Sequence, residues 1–445
     1  LLKLTVFCEF FLIFVPMKKI FLLPVLLCAT YFNAQFTIEV TAPDSFSKQP
    51  VVVYTLNGSK DVLATQAQKK DGKWVLNYSQ PYRGMLKLYF PDNKQTVNFI
   101  SENKNVVIGL QTENNTITEV LFKDEANQSM KKFMTVAQKK ERVLPALVQI
   151  KNLYNDNSTF DHALENEIQR LQKPLTTLSN NDNFVFLNYY INNLKYAESS
   201  DTHQFKTEDY IKFLSSTNEL LETSSLLKPI LINFLRSTNK AQVSLNVDQL
   251  LEQVNVESPR GQNILAELLD IFETYGLEDE KNKYFKLASN LKCTINKNLS
   301  ESLSSIKNTM VGSVFPDQVF SKSVSNSKYK RLSDIKTDKK IILFWFSKCP
   351  HCMTVLPKIQ QHYEQLKNNG VEVIALSLDS DKESYENTIA SLPWINDTEL
   401  NGWNSSYVTK YNVHATPTFF VLDKNNKIVY KPNSFEEVLS NLNLK

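Results

Sequence analysis

Residues 36–122 alternate apolar and polar positions in short runs: FTIEVTA, VVVYTL, WVLNY, GMLKLYF, TVNFI and NVVIGL. A period of two in segments rich in β-branched and aromatic side chains predicts strands with one buried face. The polar clusters NGSKD, KKDGK and PDNKQ separate them, and Asp71-Gly72 has the composition of a tight hairpin turn. Short strands at regular spacing predict an all-β, sandwich-like domain over 35–123.

From 124 onward the period lengthens. SMKKFMTVAQ, ENEIQRLQKPLTTL, NFVFLNYYINNLKY, EDYIKFLSSTNELLE, LLKPILINFL and GQNILAELLDIFETYG repeat apolar residues at helical spacing. They predict an all-α region over 124–307, with roughly eight to ten helices. His162 and His203 stand alone in it and read as surface or turn residues. Cys293, in LASNLKCTI, reads as a buried, inert thiol on a helix.

The helical period stops at NTMVGSVFPDQVF (308–320), where Gly312 and Pro316 intervene. KKIILFWF then forms a continuously apolar run, as expected of a central strand covered on both faces. A helix over 350–369 closed by Gly370, a second buried strand VEVIALSLD, and a helix KESYENTIASL follow. TFFVLD and KIVYK make a hairpin around DKNNK, and SFEEVLSNLN closes the chain. The order β-α-β-α-β-β-α predicts a mixed sheet with helices on both sides, an α/β domain over 308–445.

Composition agrees with three domains: 445 residues exceed one ordinary core, and 42% hydrophobic with 22% charged residues describes a globular chain. Fifty basic against 47 acidic residues leave a net charge of only +3, so no nucleic-acid partner is expected. MKKIFLLPVLLCATYFNA (17–34) reads as a secretory signal peptide, with 1–16 as upstream translation. The protein is therefore expected outside the cytoplasm, in the periplasm or an equivalent compartment. A lipid anchor through Cys28 is the alternative, and membrane association is expected only if the N-terminal segment is retained. Cleavage after Ala34 removes Cys8 and Cys28, leaving Cys293, Cys349 and Cys352: too few for a disulfide scaffold, enough for one pair.

That pair lies in FWFSKCPHCM (344–353), between an apolar strand and a helix. Pro350 suits the first helical position, so Cys349 stands at the helix N-terminus, where unpaired N–H groups and the helix dipole stabilise a thiolate. Cys352, one turn on, heads an apolar stripe with Leu356, Ile359, Tyr363 and Leu366, which makes it the shielded partner. Cys349 would attack a substrate disulfide and Cys352 would resolve the mixed disulfide. The His351 imidazole would add a donor or cation near the attacking sulfur. No cofactor is called for.

The strand ILFWF, the motif CPHC and the later YNVHATPTFFVLDKNNKIVY make this region resemble the thioredoxin superfamily, in its exported TlpA/ResA-like branch. The resemblance implies a thioredoxin-like fold, thiol-disulfide oxidoreductase activity on protein thiols, an upstream redox partner, and a cis bond at Thr416-Pro417 facing the pair. It covers only 308–445. Leu343 replaces the buried acid of many thioredoxins, Val355 the glutamate of ResA-like proteins, and Lys348 the usual tryptophan. The Pro-His dipeptide resembles that of oxidising DsbA-like proteins, whereas the branch often reduces, so the direction of electron flow stays open.

Three other readings use the same residues. A zinc site would recruit His362 and His414, but no second paired motif accompanies them. A peroxiredoxin would want a threonine where Phe346 stands and an arginine beyond Arg331. A non-enzymatic scaffold would not need the intact cysteine pair.

Overall fold

The computed structural model describes residues 35–154, 157–172, 182–198, 205–321 and 323–444. Residues 1–34, with Cys8 and Cys28, and His203 lie outside the described residues. Among the described residues no helix is long and apolar enough to cross a membrane.

The chain is multidomain, with a β-rich N-terminal region, a helical middle and a C-terminal α/β domain. Eight strands open it: β1 (Phe36–Thr41), β2 (Val51–Asn57), β3 (Lys60–Ala67), β4 (Lys73–Tyr78), β5 (Arg83–Phe90), β6 (Gln95–Glu102), β7 (Val106–Glu113) and β8 (Thr116–Phe122). They form two four-stranded sheets, ordered β4-β1-β7-β8 and β3-β2-β5-β6. Alternate residues from both sheets, including Ile38, Val53, Trp74, Leu88 and Ile108, meet in one cluster. The pattern missed β3 and β8. Both are edge strands, and an edge needs no continuous apolar face: Leu63 of β3 is 63% exposed. Asp71 and Gly72 take φ of 52° and 76°, and Lys70 and Lys73 exchange two backbone hydrogen bonds around them. The turn carries the chain from one sheet to the other.

Nine α-helices follow among the described residues: α1 (Glu125–Lys151), α2 (Thr159–Gln172), α3 (Val185–Ala197), α4 (Thr207–Ser216), α5 (Leu227–Ser237), α6 (Val243–Gln253), α7 (Pro259–Thr274), α8 (Glu278–Ser289) and α9 (Lys297–Thr309). Side-chain caps at Asp124, Ser258 and Asn296 begin three of them. α7 is buried on all sides and forms the axis of the helical core. That core also takes in Ile100 of β6, with Met85 of β5 packed against it. The Glu102 carboxylate at the end of β6 accepts the Phe186 and Leu187 N–H groups at the start of α3, at 2.9 and 2.8 Å. Ser59, between β2 and β3, donates from its N–H and hydroxyl to Glu267 on α7. The β-rich and helical regions therefore share a core and a polar seam. Cys293 departs from expectation: it lies in the loop between α8 and α9, half-buried, with the Gln262 amide 3.3 Å from its sulfur. α8 stops at Ser289 with Asn290 as its C-cap, and Asn296 caps α9, which leaves Cys293 in the connection between them.

The C-terminal domain runs β9 (Lys339–Trp345), α10 (Pro350–Asn368), β10 (Val371–Ser377), α11 (Lys382–Ile389), β11 (Ile395–Thr398), α12 (Ser406–Lys410), β12 (Thr418–Asp423), β13 (Ile428–Tyr430) and α13 (Phe435–Asn441). Its five-stranded sheet has the order β11-β10-β9-β12-β13. β9, β10 and β11 are parallel, and β12 pairs antiparallel with both β9 and β13. Central β9 feeds both faces: Ile341, Leu343 and Trp345 point into one cluster, Ile342 and Phe344 into the other. β11 and α12 are additions to the expected order. β11 reads INDT, which has no apolar signal, yet Asn396, Asp397 and Thr398 are fully buried. Asn326 and Ser321 pair with Asn396 and Asp397, and Tyr407 donates to Asp397, so partners supplied by distant segments permit the burial.

Candidate active site

The site forms where β9 hands over to α10. Leaving the sheet at Trp345, the chain turns so that the Cys349 N–H donates to the Phe346 carbonyl at 3.0 Å. Cys349 is the N-cap of α10, with φ −86° and ψ 113°, and Pro350 occupies the first turn where its missing N–H costs nothing. The Cys349 sulfur accepts the Cys352 N–H at 3.3 Å, replacing the oxygen of an ordinary cap. Its own S–H points to the Thr416 carbonyl at 3.4 Å, and the Thr416–Pro417 peptide bond is cis. The structure thus brings together Cys349, Cys352, Thr416 and Pro417 from two distant segments.

The two thiols differ in surroundings. Cys349 is half-buried, whereas Cys352 is 1% exposed and shares the buried face of α10 with Leu356, Ile359, Tyr363 and Leu366. Burial by itself pushes the Cys349 thiol up. The Cys352 thiol, the Thr416 side chain and the backbone N–H groups of Cys352 and His351 outweigh it and hold Cys349 below the ordinary thiol range. Burial, aided by the neighbouring Cys349, pushes the Cys352 thiol up to about 12. One sulfur is ready to ionise and the other keeps its proton.

The remaining candidates divide. Residue 351 is exposed, and its backbone N–H is among the groups that favour the Cys349 thiolate. Lys348 is exposed, Leu343 is buried and Val355 packs beside the Cys352 cluster. His362 is half-buried, its Nδ1 2.9 Å from the Lys358 carbonyl. His414 faces Asn412, and burial next to the Lys228 and Lys60 charges presses it down to about 4. Arg331 pairs with Asp317. Among the described residues no group of three or more His, Cys, Asp and Glu side chains could hold a metal ion. Sequence reasoning missed Ser347 and Asp379. Asp379 is buried and accepts from the Ser347 hydroxyl at 2.5 Å. Two polar residues at the ends of two adjoining apolar strands were the available signal.

Residues 338–428 match the family model described as thioredoxin-like, and the C-terminal region is a thioredoxin-like domain homologous to ResA-like thiol-disulfide oxidoreductases. The thiol-disulfide oxidoreductase ResA of Bacillus subtilis is 28% identical over 109 residues, 24% of this chain and 58% of that protein. That of Geobacillus kaustophilus is 30% identical over 122 residues, 26% of this chain and 66% of that protein. The chain thus spans between about half and two thirds of the length of these relatives. Among solved structures, the thioredoxin domain of a Bacteroides vulgatus thiol-disulfide oxidoreductase is 20% identical with a TM-score of 0.28, covering 30% of this chain and 96% of that one. A putative thiol:disulfide interchange protein DsbE from Chlorobium tepidum is 23% identical with a TM-score of 0.27, covering 30% and 95%.

Proposed function

We propose that this is an exported thiol-disulfide oxidoreductase that exchanges disulfides with protein thiols through Cys349 and Cys352. The observation that carries the reading is the asymmetry of the pair: a half-exposed sulfur capping a helix, with a buried, protonated thiol one turn below it. The Cys349 thiolate attacks one sulfur of a client disulfide, and the other client sulfur leaves as a thiolate. Cys352 then gives up its proton and attacks the Cys349 sulfur, releasing the second client thiol and leaving the pair oxidised by two electrons. The Thr416 side chain and the Phe346 N–H, which both favour ionised Cys352, stabilise that second thiolate as it forms. Run backwards, the same steps oxidise a dithiol. An upstream redox partner resets the pair.

In this proposal the chain divides into 35–123, 124–307 and 308–445, with the first two serving client capture or placement. Pro350 pre-sets the helix start, and Thr416 with Pro417 lines the approach of the client chain. A Cys352→Ala variant tests the roles. It should accumulate mixed disulfides with clients, visible as reducible adducts by mass spectrometry, while Cys349→Ala should form none. Equal trapping by both variants would refute the assignment.

A further inference from the structure

Strands β9 and β10 are parallel neighbours that end opposite one another, Trp345 against Ser377. Two residues further on, Ser347 and Asp379 leave the sheet side by side. Asp379 is 1% exposed, and its carboxylate is used on both oxygens. One oxygen accepts the Ser347 hydroxyl at 2.5 Å, and the other accepts the Ser377 hydroxyl at 2.5 Å and the Ser347 N–H at 3.2 Å. The Asp379 N–H donates to the Ser377 hydroxyl at 2.9 Å, and its carbonyl accepts the Gly402 N–H at 3.3 Å. The Leu378 N–H ties the two strand ends again by donating to the Trp345 carbonyl at 2.8 Å. This carboxylate has a single orientation open to it.

The Ser347 N–H belongs to the same peptide group as the Phe346 carbonyl. That carbonyl, on the far side of the group, accepts the Cys349 N–H at 3.0 Å. A peptide group is planar, so fixing its N–H fixes its C=O. We propose that Asp379 is a positioning residue for the redox pair: by holding the Phe346–Ser347 peptide plane it sets where Cys349 stands at the start of α10. The proposal rests on reading Cys349 as the attacking thiolate. Asp379 grips the loop, whereas the groups on the Cys349 sulfur are the Cys352 N–H and the Thr416 carbonyl. Freed of the carboxylate, the peptide can turn, Cys349 drifts, and the N–H contacts to its sulfur lengthen. The thiolate then loses stabilisation. A purely electrostatic role has the opposite sign, because removing a negative charge nearby makes a thiol easier to ionise. The direction of the change separates the two.

The test uses the full chain with Asp379→Ala, Asp379→Asn and Ser347→Ala. The readouts are the pH profile of Cys349 alkylation and the disulfide equilibrium against glutathione. For Asp379→Ala the thiolate fraction near pH 7 should fall about tenfold. The equilibrium should move about tenfold toward the disulfide, which is a potential ~30 mV more negative. Asparagine should restore most of both, because its amide oxygen can accept the Ser347 N–H and the Ser377 hydroxyl while the Ser347 hydroxyl turns to accept from its NH₂. Ser347→Ala keeps the N–H contact and should fall between. An Asp379→Ala protein with the wild-type profile and potential, or with a more acidic Cys349, overturns the proposal. A lower melting temperature with an unchanged profile overturns it too. If Asp379→Ala does not fold, Asp379→Asn and Ser347→Ala decide: wild-type behaviour in both defeats the proposal. A wild-type protein that exchanges no disulfides would sink the functional reading instead, and the alkylation profiles would still judge Asp379.

Discussion

At the scale of single residues, the placement of the cysteine pair was legible because it is set locally. A helix start is written in four residues, so CPHC alone fixes Pro350 in the first turn, one sulfur at the cap and the other a turn below. The contribution of His351 was not legible in the same way, since a side chain's direction depends on what surrounds it. The stabilising N–H groups belong to the backbone, so His351→Ala retains them all. Its reduction potential should move by well under the ~30 mV of a tenfold change, as read by glutathione titration. The acidity difference predicts a pH profile. Cys349 ionises below the ordinary thiol value of 9.0 and Cys352 near 12, so alkylation of the reduced protein should rise with pH at Cys349 first. Cys352 should stay unlabelled through pH 9. The linked stability follows in sign. The depressed Cys349 group stabilises the reduced fold in full above the unfolded thiol pKa, and that gain is lost as pH falls through its folded value. The raised Cys352 group acts oppositely, and weakens the reduced fold as pH climbs from 9.0 toward 12. Labelling of Cys352 ahead of Cys349 near pH 7 would reverse the assignment.

At the scale of elements, periodicity revealed what buries an apolar face and missed what does not. β1, β5 and β9 were plain in the sequence, since an alternating apolar run marks a strand with one buried face and a continuous run a strand covered on both. β3 and β8 lack such a face as edges, and β11 is buried through hydrogen bonds made to residues 70 or more positions away along the chain or supplied by a tyrosine. Such partners are invisible to any local window. The joint between β6 and α3 belongs to the same class. Glu102 ends a strand in sequence, but in space it caps a helix by accepting two buried N–H groups. Glu102→Ala would leave both donors unpaired, at a cost of about 1–3 kcal/mol each before relaxation. Chemical denaturation followed by far-UV dichroism should show the loss, with Cys349 alkylation unchanged. A Glu102→Ala protein of wild-type stability would mean that water replaces the carboxylate at that helix end.

At the scale of the whole molecule, the clusters say which parts need one another. The helical core includes Ile100 and Met85 from the β-rich region, so 35–310 is joined by shared apolar surface. The two clusters flanking the C-terminal sheet draw only on residues between Phe315 and Leu444. Polar contacts link this domain to the rest, Lys94 donating to the Leu400 carbonyl among them. Lys431 pairs with Glu273, which also holds Lys281, and the Ser305 hydroxyl donates to the Thr409 carbonyl at 3.0 Å. Lys431 itself is pressed down to about 8 by burial in that joint. A fragment spanning 308–445 therefore keeps every side chain of its own core and both cysteines, and loses a few hydrogen-bonded partners at one face. It should fold, and it should exchange a small model disulfide within about twofold of the full-length rate. With a natural client its turnover should drop further, because the regions proposed to place the client are gone. Stopped-flow exchange with a small disulfide and with a trapped client protein compares the two directly. Equal losses on both substrates would mean that the helical region completes the redox site itself. The Lys431–Glu273 joint would then be the first contact to break by mutation.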